Sequence, residues 1–306
     1  MMNSGDIIER YRLIEPLGEG GMGTVWLVEH VTLGGRHALK ILSPYLVARR
    51  ELRERFLDEG RIQASLHHPA VARVTDLVTD GFAGLVMDYI PGPDLGTWLE
   101  ENGPASEAHA RTIVLSLLDA IALAHERKIV HRDLKPENVI LRAGELEPVL
   151  LDFGIAKVSS DNGKRKTRTG ASMGTPGYMP PEQIKDSSRA DHRSDIYALG
   201  VILHELLTGE ARFPGDSEFD VAMRVVAGDA APLPKSVSPW LVQCIERATA
   251  TDPEARFDSA SAFARALQPP IRDPADGLRR ELSTSRAQVQ RLQKQVEQLQ
   301  QELKQP

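Results

Sequence analysis

Residues 129–141 read "IVHRDLKPENVIL" and residues 149–157 read "VLLDFGIAK". Each sets charged and amide side chains beside a short apolar run. Taken singly, Asp133 and Asn138 are residue types that cap loops and form turns. Asp152 ahead of Phe153 and Gly154 reads the same way. The two stretches gain weight from what precedes and follows them in the chain.

The chain has 306 residues, 41% hydrophobic and 26% charged, enough for one or two ordinary globular domains with a sizeable core. A net charge of −6 argues against a general nucleic-acid-binding surface. The single cysteine, Cys244, excludes an intramolecular disulfide and favours a reducing setting. The start "MMNSGDIIER" lacks the basic-then-apolar signal pattern, and no run approaches the ~20 apolar residues that cross a bilayer. The expectation is a soluble, cytoplasmic protein with neither nucleic acid nor membrane as partner.

Residues 11–90 carry short alternating segments, among them "YRLIEPL", "GTVWLVEH", "RHALKIL" and "GLVMDYI". With interrupting glycines and a "TDG" turn they predict an antiparallel sheet of hairpins. One helix is expected within it, roughly Ala48 to Leu66, with Phe56, Ile62 and Leu66 apolar. After "PGPDLG" the pattern lengthens. "ASEAHARTIVLSLLDAIALAHERK" and "RSDIYALGVILHELLTG" have helical apolar spacing, and Gly209 is a candidate C-cap of the second. A small β part thus precedes a larger α part, and a cleft between two such lobes is a natural ligand site. "QPPIRDPADG" then reads as a linker. Beyond it Leu278, Leu282, Ser285, Val289, Leu292, Val296, Leu299 and Leu303 alternate spacings of four and three, a heptad seam.

The stretch "LGEGGMGTVW" contains G-x-G-x-x-G at Gly18, Gly20 and Gly23. A dinucleotide-binding turn would place a helix after the glycines, but "TVWLVEH" is strand-like, and no Gly-Lys-Ser/Thr closes the run as a Walker loop. A strand–turn–strand hairpin remains, whose glycines let backbone N–H groups approach phosphates. Lys40, at the end of the next predicted strand, can reach back under it as a point charge. Glu59, Glu54 and Glu51 on the predicted helix compete to pair with Lys40, and spacing does not choose among them.

His131-Arg132-Asp133, then Lys135 and Asn138, then Asp152-Phe153-Gly154 resembles the catalytic core of eukaryotic-like protein kinases. "GTPGYMPPEQ", "SDIYALG" and "DPEARF" follow in the order of that family, and "GEGGMGTV", "DFGIAK" and "GYMPPEQ" resemble its bacterial serine/threonine branch. The resemblance runs over residues 11–267. It implies an α+β, protein-kinase-like two-lobe fold. The small, mainly β N-lobe would span 11–90 and the larger, mainly α C-lobe 91–268. A linker at 269–277 and a coiled-coil helix at 278–304 would follow.

The same resemblance implies the roles. The Gly18–Gly23 hairpin, with Leu17, would cover ATP, while Val25, Ala38 and Ile140 pack on the adenine. Lys40 would hold the α- and β-phosphates, oriented by Glu59, the family's helix glutamate counted back from "LHHP". Asp133 would accept the hydroxyl proton, with Lys135 beside the transferring phosphate. Asn138 and Asp152 offer hard oxygen ligands for Mg²⁺, or Mn²⁺ in its place. In "MDYIPGPD", Met87 would be the gatekeeper, Asp88 to Ile90 would face adenine through the backbone, and Asp94 would meet the ribose.

The stretch between Gly154 and Pro180 is rich in hydroxyls and cations, a solvated loop by composition and an activation segment by resemblance. Thr167 and Thr169 stand where bacterial relatives carry activating phosphothreonines, and Thr175 is expected near Asp133 and Lys135. Glu182 and Arg256 are expected to form a structural ion pair, and Asp195 to brace the catalytic loop from a helix start. His67, His68, His125 and His192 lack ligand spacing and read as packing or surface residues.

Pro180 replaces the alanine of Ala-Pro-Glu. Gln63 stands where the family is often apolar, at a position that clamps the helix against Phe153, so the Lys40–Glu59 pair is expected to need help to assemble. The expected activity is ATP-dependent phosphorylation of serine and threonine in protein substrates, its own activation segment included, with a homodimer formed through the tail. The competing expectation is a nucleotide-binding, pseudokinase-like scaffold assembled through that tail. Such scaffolds usually lose metal-binding or base residues, and Lys40, Asp133, Asn138 and Asp152 are all present.

Overall fold

The computed structural model describes residues 2–20, 23–151 and 175–269. Asp152, Thr167, Thr169 and the heptad segment 278–304 lie outside the described residues.

The alternating segments pair into one antiparallel sheet. Its strands are β1 (Ile7–Ile8), β2 (Tyr11–Gly20), β3 (Gly23–His30), β4 (Arg36–Leu42), β5 (Val74–Val78) and β6 (Gly84–Asp88), in the order β1-β2-β3-β4-β6-β5. The sheet starts at Ile7, ahead of the expected residue 11. Glu9, held at φ 51, turns the chain so that Ile8 pairs with Tyr11. The carboxylate of Glu9 accepts from the N–H groups of Thr79 and Asp80 and pins that turn to the far edge of the sheet.

Between β4 and β5 lie α1 (Pro44–Val47) and α2 (Arg50–Ala64). The helix expected at roughly Ala48 to Leu66 is α2, which begins after the extended Arg49 (φ −95, ψ 96), while the short α1 ahead of it falls outside the expected span. Alternation sends Trp26, Val28, Leu39 and Ile41 to one face of the sheet, while Ala38, Leu42, Leu85 and Met87 pack with Phe56 and Leu57 of α2 on the other. Gly60 lets α2 come close. A Cβ there would lie 2.3 Å from Leu85 Cδ2, which explains a glycine inside a helix.

The remainder is helical around a two-stranded hairpin. Its elements are α3 (Leu95–Asn102), α4 (Glu107–Glu126), β7 (Val139–Leu141), β8 (Pro148–Leu150), α5 (Pro181–Lys185), α6 (Arg193–Thr208), α7 (Glu218–Ala227), α8 (Pro239–Ala248) and α9 (Ala260–Ala266). Helix α6 is buried from Ser194 to Leu207 apart from Glu205, the mark of a core helix. Gly209 ends it in the left-handed conformation (φ 70), as the sequence led one to expect. Helices α4 and α8 pack against it, and α9 packs in turn on α4 and α8.

Strand β8 also docks beside the chain that leaves α2. Ala72 N–H donates to Leu150 O (2.8 Å) and Leu150 N–H to Ala70 O (2.9 Å). Among the described residues, no helix is long and apolar enough to cross a membrane.

Candidate active site

Pairing across the sheet brings the sequence-predicted N-terminal positions into adjacent rows. Gly18 pairs with Val25, Val25 with Lys40, and Lys40 with Leu85. One step along, Leu27, Ala38, Met87 and Val74 form the neighbouring row. Directly paired residues share a face, so Val25, Ala38, Lys40 and Met87 share one surface. Gly60, the residue after Glu59, packs on Leu85, the cross-strand neighbour of Lys40. The described hairpin residues 17–20 and 23–25 and positions 38, 40, 59 and 87, read separately from the sequence, thus come to one region. The side chain of Glu59 lies outside what the structure describes.

The three glycines of the hairpin differ in what requires them. Gly23 sits at φ 156, and a Cβ there would fall 1.9 Å from Ile41 O, so strand packing alone demands glycine. Gly18 and Gly20 would meet nothing within 4 Å. The space a side chain would take at each is open. Leu17, beside them, is exposed.

The hinge follows β6. Met87 is buried, Asp88 is exposed and Ile90 half-buried. Asp94 bridges to Ile140 on β7, and Gly92 (φ 147) presses so close to β7 that a Cβ would lie 1.8 Å from Leu141 O. This close approach fastens the hinge to the hairpin that carries Ile140. Asp94 has a task that the ribose expectation did not foresee. It caps α3, accepting from Thr97 N–H (3.0 Å) and Thr97 Oγ1–H (2.7 Å). The signal was present as Asp-x-x-Thr ahead of an apolar run.

The catalytic-loop stretch runs from the end of α4 to β7 and turns on Arg132, held at φ 64. A bulky residue in the left-handed region costs about 1–2 kcal/mol, so neighbouring structure must impose it. Asp195 does so from the first turn of α6. Its Oδ2 accepts from His131 N–H (2.9 Å) and His125 Nε2 (2.8 Å), and its Oδ1 from Arg132 N–H (2.8 Å). Burial raises the Asp195 pKa, but the His125 bond and then the His131 charge and N–H outweigh it, leaving the carboxyl below its ordinary value. Asp195 therefore braces the loop as expected. His125, read from sequence as packing or surface, is a ligand of that brace. Nothing local in "ALAHERK" announces a partner seventy positions away.

Past the turn, Asp133 N–H donates to His131 Nδ1 (3.2 Å). Asn138 Nδ2 donates to Asp133 O (2.8 Å) and to its carboxylate Oδ2 (3.3 Å). With the amide nitrogen engaged there, Oδ1 is the Asn138 atom left for a cation. Leu151 N–H donates to Asn138 O (2.8 Å), which holds the residue before Asp152 against Asn138. Among the described residues, no group of three or more His, Cys, Asp or Glu is placed to hold a metal ion. Any metal would need Asp152 and ligand oxygens besides Asn138. Asp133, Lys135 and Thr175 line one small cleft, as the sequence suggested for Thr175.

Tyr178, which lines the same cleft, donates to Glu205 Oε2 (2.6 Å). Burial pushes both groups above their ordinary pKa. Pro180 continues into Pro181 without strain: at φ −73, ψ 158 it is the N-cap of α5, where two adjacent prolines cost no helical N–H bond. Glu182, next on α5, forms the expected pair with Arg256 (2.7 and 2.9 Å).

A family model described as the protein kinase domain matches residues 11–267. The chain is 37% identical over 273 residues to serine/threonine-protein kinase PkaA of Streptomyces coelicolor, spanning 85% of this chain and 49% of that protein. It is 38% identical over 274 residues to serine/threonine-protein kinase pkn3 of Myxococcus xanthus, spanning 86% and 50%. The crystal structure of the Mycobacterium tuberculosis PknI kinase domain matches with a TM-score of 0.64 at 30% identity, covering 87% of this chain and 98% of that one. The chain spans about half the length of the curated relatives it matches. With a glycine hairpin one strand from Lys40, a braced loop carrying Asp133 and Asn138, and relatives of this kind, the chain belongs to the protein kinase family, in its bacterial serine/threonine branch.

Proposed function

We propose that this chain transfers the γ-phosphoryl group of ATP to serine and threonine hydroxyls of protein substrates. The observation that carries the reading is the Asp133–Asn138 arrangement at a loop held rigidly by Asp195. Phosphoryl transfer needs positioning and charge neutralisation more than covalent help. Asp133, its carboxylate steadied by Asn138, orients the acceptor hydroxyl and takes its proton. Lys135, in the same cleft, neutralises charge beside the transferring group.

Lys40 holds the α- and β-phosphates from the row beneath Gly18 and Gly20, and Glu59 steadies Lys40. Val25, Ala38, Met87 and Ile140 enclose the adenine, with backbone groups of Asp88 to Ile90 along its edge. Asn138 and Asp152 hold Mg²⁺, which supplies charge neutralisation on the phosphates when bound. The scaffold alternative is not favoured, because no residue of this set has been lost.

Labelled-phosphate transfer from Mg·ATP to the chain itself, or to a basic protein, tests the reading. No transfer by wild type at high concentration would move the conclusion to the scaffold.

Control is proposed to lie in residues 155–174, where Thr167 and Thr169 are the autophosphorylation sites and Arg132 is the cation that meets a phosphate placed there. The Thr167→Ala/Thr169→Ala double variant is expected to lose most of its activity in the transfer assay. Undiminished activity would sink the assignment. The heptad segment is proposed to form a parallel dimer, since Val289 and Val296 alternate with Leu292 and Leu299. Light scattering should show a dimer that becomes a monomer without residues 275–306. A monomer in both cases would exclude it.

A further inference from the structure

Gln63 is a glutamine only 1% exposed, on a helix whose inner face is otherwise apolar. Burying an amide costs free energy unless it is hydrogen-bonded. Its Nε2 donates to Ala72 O at 3.1 Å. Ala72 is no arbitrary acceptor. Its own N–H donates to Leu150 O (2.8 Å), and Leu151, the residue just after β8, donates to Asn138 O (2.8 Å). Asn138 in turn donates to the carbonyl and carboxylate of Asp133. One run of hydrogen bonds thus leads from α2 to Asp133, and apart from Asn138 its only side-chain link is Gln63. On the helix, Gln63 follows Glu59 by four residues, which puts both on one face.

We propose that Gln63 is a positioning residue for phosphoryl transfer, tying the helix that carries Glu59 to the backbone ladder that holds Asp133. This rests on the kinase reading above. An apolar residue at this position would clamp α2 by packing alone, with no directional constraint. The amide instead fixes the helix at one distance from Ala72, and an outward swing of α2 breaks that bond.

The test uses Gln63→Met, which keeps length and volume but removes the donor, with Gln63→Leu as a second variant. The full chain is assayed for labelled-phosphate transfer. The expected result is a kcat about fivefold lower with the KM for the acceptor protein unchanged, the fall that loss of one ordinary hydrogen bond brings. The readout that separates positioning from mere structure is a double-mutant cycle with Glu59→Gln. If Gln63 acts by placing α2, Gln63→Met has no further effect once Glu59 has been replaced. An unchanged kcat in folded Gln63→Met overturns the proposal. So does a full fivefold effect persisting in the Glu59→Gln background, or failure of both variants to fold, which would make Gln63 a structural anchor only. Absence of transfer by wild type overturns the kinase reading itself and this proposal with it, an outcome visible before any variant is compared.

Discussion

Asp133→Ala is expected to lower kcat for phosphoryl transfer by about 10²–10⁴-fold, the range contributed by a positioned acid–base group. The loop should survive the change. Arg132 keeps its left-handed turn because Asp195 holds the N–H groups of both His131 and Arg132, and neither bond involves the Asp133 side chain. The Asp133 backbone also keeps its partners, since its N–H goes to His131 Nδ1 and its carbonyl receives Asn138 Nδ2. The 3.3 Å contact from Asn138 Nδ2 to the carboxylate goes with the side chain, while the shorter bond to the carbonyl stays. The measurement is steady-state labelled-phosphate transfer beside thermal denaturation of the same sample. A kcat within threefold or so of wild type would remove Asp133 from the chemistry. A large loss with a large fall in Tm would point to loop collapse instead. Asp133→Asn refines the result, because it preserves shape and hydrogen bonding but cannot take a proton at neutral pH.

Such a prediction was within reach of the sequence because Asp133, Lys135 and Asn138 stand together in one short loop whose residues carry the family resemblance. Lys40 and the glycine hairpin were readable for a related reason: in antiparallel strands the register of neighbours follows from alternation and turn length. What local pattern could not supply were partners chosen by tertiary packing. Gln63 looked like a misplaced polar residue until Ala72 stood opposite it. His125 looked like helix filler until α6 brought Asp195 against it. The glycines show the same limit. Their spacing treats Gly20 and Gly23 alike, yet only Gly23 is required by the carbonyl of Ile41. Gly20→Ala therefore tests the ligand space alone, whereas Gly23→Ala disturbs the strand pairing as well.

The other large effect concerns stability. Glu182→Ala is expected to destabilise the fold by about 3–5 kcal/mol, the cost of leaving a buried partner charge uncompensated. The reason lies in Arg256, whose side chain is fully buried. Its guanidinium has five N–H donors, and all are used. Nε donates to Ala250 O, Nη1 to Glu182 Oε1 and Arg193 O, and Nη2 to Glu182 Oε2 and Thr251 O. The same group lies 4.9 Å from the centroid of the Tyr197 ring. Arg256 thereby fastens α5, the start of α6 and the loop after α8 to one point. Removing Glu182 withdraws the only anionic acceptor in that set. In a domain of this size the loss corresponds to a fall in Tm of about 10 °C. Arg256→Lys should fare little better, since an ammonium has three donors and cannot span both carboxylate oxygens. Replacing both partners together, as Glu182→Leu with Arg256→Met, should recover part of the loss, because no unpaired charge stays buried. Thermal or denaturant melts of the three variants decide the matter. A Glu182→Ala protein melting within about 2 °C of wild type would show that water reaches Arg256 and that the pair is dispensable. The position of Glu182 two residues after Pro180 gives the pair a second consequence. Helix α5 begins at the end of the segment that bears Thr175, and Gln183 on the same helix donates to Arg132 O (3.1 Å). Loosening α5 therefore also withdraws a support of the catalytic loop. Residual activity in Glu182→Ala should accordingly fall at temperatures well below its own melting point.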